Sequence, residues 1–109
     1  MTAKIIIEKG NIGADGTRID IDGLKFKNPI KVFYEFEYDK LISLANLIKE
    51  DGVVYAEIDI KPEYEGLFPA IGIKSIIIDS KVIKEAEVFA VGLSSNRNSD
   101  DTICSIKFD

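Results

Sequence analysis

Along much of this chain apolar and polar residues alternate with a period of two, the spacing of a strand with one buried face. In "VFYEFEY", Val32, Tyr34, Phe36 and Tyr38 share one side, and Phe33, Glu35 and Glu37 share the other. In "VVYAEIDIK", Val54, Ala56, Ile58 and Ile60 oppose Tyr55, Glu57, Asp59 and Lys61. The "EDG" before it is a hairpin signal, because Asp-Gly tolerates the positive φ angles of such turns. That signal bears on "YDKLISLANLIKEDG". There Leu41, Leu44, Ala45 and Ile48 fit a helical face, whereas Ile42 and Leu44 fit an extended chain. A hairpin running up to Lys49 and back from Val53 favours the extended alternative.

The remaining segments follow the same grammar. "KIIIEK" predicts a first strand, and "TRIDI" a short one set among the turn-forming residues of "NIGADGTRIDIDG". "KPEYEGLFPAIG" is a proline-bounded connection with one helical turn at "PEYEG". "IKSIIIDSKVIKEAEVFAVGLS" predicts two long strands joined at "DSK", and "TICSIKF" a last strand. About seven or eight strands, with turn signals close to every ten residues, predict a mainly β fold. The expectation is one small closed or nearly closed β-barrel, residues 1–109, with at most one short helix. Closure would protect edges that so many apolar strands otherwise expose.

Composition narrows the function. At 109 residues the chain suits one domain, and 46% hydrophobic with 30% charged residues is a globular composition. No apolar run approaches the roughly 18–20 residues needed to span a bilayer. The apolar part of "MTAKIIIEKG" is too short for a signal peptide, so a cytoplasmic, membrane-free protein is expected. A net charge of −5 without a basic cluster argues against nucleic acid. The single cysteine, Cys104, lies in an alternating strand pattern and is expected to be a small core residue rather than a reactive thiol. The chain has no histidine. That removes Ser-His and Cys-His nucleophile pairs and any His-ligated metal.

Candidate chemistry is correspondingly thin. Asp15, Asp20 and Asp22 lack the spacing of a calcium loop and sit where turns prefer Asp. Glu35 with Glu37, Glu57 with Asp59, and Glu85 with Glu87 repeat at i, i+2, the pattern of a solvated strand face. Ser94 and Ser95, in "VGLSSNRNSDD", need a base to become nucleophiles, and none is marked. Ser94, Ser95, Asn96, Arg97, Asn98, Asp100 and Asp101 therefore form a polar turn, expected to serve as an interaction loop. No catalytic, cofactor or metal residue is expected.

The order of segments resembles the prohead maturation proteases of tailed phages. "NPIKVFYEFEYDKLISLANLIKEDGVVYAEIDI" resembles the family's hydrophobic strand, its His-bearing turn and the hairpin that follows. "EYEGLFPAIGI" resembles the segment around the family's catalytic Ser, and "KEAEVFAVGLSSNRNSD" its late strand and polar turn. "GNIGADGTRIDIDGLKF" is a looser match to the opening hairpin. Where the family's His would fall, around Phe36 and Glu37, and where its Ser would fall, at Phe68 and Pro69, this chain has neither residue. The resemblance thus implies a shortened barrel without the protease: a non-enzymatic structural or interaction protein of phage or prophage head assembly, with a protein partner or self-association. The alternative expectation is a small-ligand or metal-binding barrel with a mouth lined by Tyr34, Tyr38, Tyr55 or Tyr64.

Overall fold

The computed structural model describes residues 1–12, 16–96 and 103–109. Ten strands run through them: β1 (Thr2–Ile7), β2 (Asn11–Ile12), β3 (Thr17–Ile19), β4 (Leu24–Tyr34), β5 (Leu41–Ala45), β6 (Ile48–Glu50), β7 (Val53–Asp59), β8 (Phe68–Asp79), β9 (Val82–Ser94) and β10 (Cys104–Phe108). The only helical pieces among the described residues are two single 3-10 turns, Ile21–Gly23 and Pro62–Tyr64. The fold is mainly β.

The strands form two sheets. One has the order β10-β1-β7-β6 and is antiparallel throughout. The other is built on β9, which pairs with β8 on one side and with β3 and β4, both parallel, on the other; β5 extends it beyond β4. The chain crosses between the sheets at Asn46–Leu47, where the Asn28 side chain donates to the Leu47 carbonyl and accepts from its N–H, both at 2.9 Å. Lys49 adds a second tie, donating to the carbonyls of Leu24 at 2.6 Å and Asp22 at 3.2 Å. On the opposite side β8 and β10 end their respective sheets without pairing, so the sheets do not close into a cylinder.

Alternation builds the core. Ala3, Ile5 and Ile7 of β1 and Val54, Ala56 and Ile58 of β7 face Leu24, Ile30, Val32, Val88, Val91 and Leu93 of the larger sheet, all buried in one cluster. Several expectations hold in detail. The segment 41–50 is extended, and β6 turns into β7 through Asp51 and Gly52 at φ 51° and 76°, the two positive angles of a tight hairpin. The β8–β9 hairpin turns through Ser80 and Lys81, likewise both positive. Cys104 is buried.

One periodic segment breaks. The alternation from Val32 predicts a strand through Tyr38, but β4 stops at Tyr34. Glu35 and Phe36 both take left-handed backbone, at φ 54° and 56°. The chain folds back there, with the Glu37 N–H donating to the Tyr34 carbonyl. Phe36 and Tyr38 are thereby taken off the core side that Val32 occupies.

Candidate functional site

The turn that ends β9 carries Ser94 and Ser95. The Glu35 N–H donates to the Leu93 carbonyl at 2.9 Å, which brings its carboxylate over the turn. The carboxylate accepts from the Ser94 hydroxyl at 2.8 Å, the Ser95 N–H at 2.9 Å and the Ser95 hydroxyl at 3.1 Å. Ser94 Oγ in turn accepts from the Asn96 N–H. The Ser95 N–H first, and then the Ser94 hydroxyl, hold the Glu35 carboxyl below its ordinary pKa. These contacts order Ser94 and Ser95 around the Glu35 carboxylate. Arg97, Asn98, Asp100 and Asp101 lie outside the described residues.

Of the other carboxylate pairs, Glu57 and Asp59 stand exposed on β7, and Glu85 and Glu87 are occupied. Glu85 pairs with Lys25 at 3.0 Å and Glu87 with Lys74 at 3.4 Å. Asp20 accepts from the Asp22 N–H, capping the first 3-10 turn. A cavity of about 420 Å³ beside that turn mixes Lys9 and Arg18 with Asp20 and Asp22. Among the described residues, no three His, Cys, Asp or Glu side chains converge as metal ligands would. The four tyrosines do not line one mouth. Tyr34 and Tyr64 meet with centroids 6.2 Å apart, whereas Tyr38 packs on Phe33. Tyr55 lies on the smaller sheet, under the Lys4 ammonium and hydrogen-bonded to Glu50.

What the structure does assemble is an apolar surface on the outward face of the larger sheet. Phe33 is buried, yet it is not part of the main core cluster. Its neighbour across β5 is Leu41, and Lys31 is beside Leu44. Both leucines are half exposed. Tyr38 stands edge-on to Phe33, with ring centroids at 5.1 Å and planes at 84°, and keeps 70% of its surface exposed. The floor is made of small residues: Phe36 rests where a Gly92 side chain would be, and Phe89 lies against Gly72. A groove of about 320 Å³ runs between Phe33, Tyr38 and Phe89, rimmed by Lys27, Lys31 and Glu87. Glu87 is matched by Lys74, whose ammonium lies 6.0 Å from the Phe89 ring centre. Lys27 and Lys31 have no ion-pair or hydrogen-bond partner among the described residues.

Sequence reading passed over this surface, although a signal for it exists. Phe89 continues the i, i+2 row of Glu85 and Glu87, an aromatic at the end of a polar row. Among the described residues no helix is long and apolar enough to cross a membrane. No family model, curated protein or solved structure matches the chain.

Proposed function

We propose that the chain is a non-enzymatic interaction protein that holds an acidic, extended segment of a protein partner on the outward face of its larger sheet. The observation that carries this is the group Phe33, Tyr38, Leu41, Leu44 and Phe89, set outside the core beside two unpaired lysines. Exposed apolar surface of this kind marks an interaction site more often than chance. Aromatic residues anchor interfaces, and the rim charge selects the partner's sign. With Glu87 matched by Lys74, Lys27 and Lys31 leave the groove locally positive on a chain whose net charge is −5.

Within this reading the framework is a barrel opened at the β8–β10 seam, a degenerate relative of the prohead proteases working in phage or prophage head assembly. Its support is spatial. Phe36, where the family's histidine would fall, packs on Gly92, and Phe68, where the serine would fall, pairs with Ser94. Both positions therefore adjoin the same end of β9, and neither carries the family's catalytic side chain.

Fluorescence anisotropy with Glu-rich peptides bearing one aromatic residue tests the docking face, with Lys-for-Glu versions of the peptides as controls. The expected result is binding of the acidic peptides alone, weakened by salt and lost in Lys27→Glu/Lys31→Glu. Equal binding of both peptide sets, or a double variant that binds as before, overturns it. For the biological setting, capsid, portal or terminase genes as neighbours and capture of their products support head assembly. A chain that captures none of them overturns that part.

A further inference from the structure

Tyr38 reaches the docking face because the chain turns a corner before it. In a strand that ran on past Tyr34, Tyr38 would share the side of Val32, opposite Phe33. Its ring instead stands edge-on to Phe33 at 5.1 Å. Glu35 and Phe36 make this change of side, with left-handed backbone at two successive residues that are not glycine. Such backbone persists where the surroundings over-determine it. The bonds within the corner, from the Glu37 N–H to the Tyr34 carbonyl and from the Lys40 N–H to the Glu37 carbonyl, involve neither of the two. The end of β9 does hold them. Leu93 takes the Glu35 N–H, Ser94 and Ser95 take its carboxylate through three hydrogen bonds, and Gly92 leaves room for the Phe36 ring.

We propose that Glu35 is a positioning residue for the docking face: bound to Ser94 and Ser95, it sets the corner that places Tyr38 against Phe33. This role rests on the docking reading above and adds that the groove is completed from β9 as well as from β4 and β5. Tyr38 packs on Phe33 yet keeps 70% of its surface exposed, so its own side chain holds it weakly and its backbone has to fix it. An aromatic wall already in place need not be ordered when the partner arrives, and the groove binds more tightly for it. Glu35 carries the wrong charge to attract an acidic segment, so its contribution passes through Tyr38. Ser95 is exposed, and whatever binds its N–H and hydroxyl competes with Glu35 and loosens the groove. By linkage, a partner in the groove opposes that competitor equally.

Two variants and two readouts test this. Glu35→Ala removes the acceptor and its charge, whereas Ser94→Ala/Ser95→Pro removes all three donors and keeps the charge. The nuclear Overhauser effect between the Phe33 and Tyr38 rings reads the corner, and anisotropy with the Glu-rich aromatic peptides reads the groove. Both variants should lose the ring contact while the amides of β1 and β7 keep their shifts. Both should weaken peptide binding about fivefold or more, the effect of truncating an anchoring aromatic. In a Tyr38→Ala background Glu35→Ala should cost no further affinity, because the two act as one. Tighter binding by Glu35→Ala would assign it a role through charge alone and overturns the proposal. Retained ring contact in both variants, or an undiminished cost in Tyr38→Ala, overturns it as well. A wild-type chain that binds no peptide overturns the docking reading, and the ring contact then decides the positioning by itself.

Discussion

The Glu35 carboxylate accepts the Ser94 hydroxyl at 2.8 Å across 59 residues of chain. Two polar turns that are remote in sequence are thus one clasp. It fastens the end of β9 to the left-handed corner that ends β4. Left-handed backbone at two successive non-glycine residues is unfavourable and persists where surroundings hold it. At this corner the clasp and the Phe36 contact with Gly92 do so.

The clasp makes Ser95 a reporter of Glu35 ionisation. Its folded pKa is depressed, so the contribution of the charged form is complete above the ordinary glutamate range of about pH 4.3 and is lost as pH falls through the folded value. In an NMR titration the Ser95 amide resonance should move with an apparent pKa below that of an unstructured glutamate. In Glu35→Gln that titration should vanish while the β9 amides upstream of Leu93 stay in place. A Ser95 amide that titrates at the ordinary glutamate value removes the clasp.

Gly92 and Gly23 should differ in what they tolerate. A methyl group at Gly92 meets the Phe36 ring, a side chain on a surface turn that can swing aside. At Gly23 it meets the Lys84 backbone carbonyl, inside the parallel packing of the larger sheet, and nothing there can yield without moving β9. Gly92→Ala should cost about 1–3 kcal/mol in urea unfolding, the usual range for overpacking, and Gly23→Ala more. In a Phe36→Ala background the cost of Gly92→Ala should shrink, because the two sites are coupled through that ring.

The strands were legible because each needs only a local pattern. Val54, Ala56, Ile58 and Ile60 announce their buried face without knowing what covers it, and all four are buried. The Asp51–Gly52 turn announces itself through its backbone chemistry. The outward aromatic surface was legible only through Phe89, because the place of Tyr38 depends on a corner that the period cannot register. The run from Val32 to Tyr38 keeps alternating in sequence after the chain has turned at Glu35. The clasp was hidden for a different reason, since no local pattern links Glu35 to Ser94. Closure was overestimated because alternation defines faces and leaves unstated which edges meet: β5 to β6 joins the sheets, whereas β8 and β10 do not pair.

Asn28 carries more of that junction than its exposed position suggests. Its amide makes a two-way pair with the Leu47 backbone, imitating one rung of a ladder where the chain passes between sheets. Asn28→Ala should cost about 1–3 kcal/mol, two hydrogen bonds net of their replacement by water. Asn28→Asp should not recover the loss, because it presents a carboxylate oxygen to the Leu47 carbonyl. Urea unfolding of the two variants checks this, with an Asn28→Asp protein as stable as wild type being the contrary result.

Cys104 supplies a probe of the whole core. It pairs across β1 with Ile7, is buried, and desolvation pushes its thiol up to about 12. At neutral pH it is therefore protonated and shielded, and a thiol reagent should modify it only through opening of the fold. Added urea should then accelerate labelling in step with the unfolded population. The same shift fixes the alkaline limb of stability. A thiol whose folded pKa is raised leaves stability untouched below the unfolded value of about 8.5, and stability declines as pH rises from there toward about 12. Cys104→Ala lacks that titration, so comparing the urea midpoints of the two proteins at pH 7 and pH 10 isolates it. Their difference should move in the variant's favour at the higher pH, and a difference that stays constant would place the thiol in contact with water.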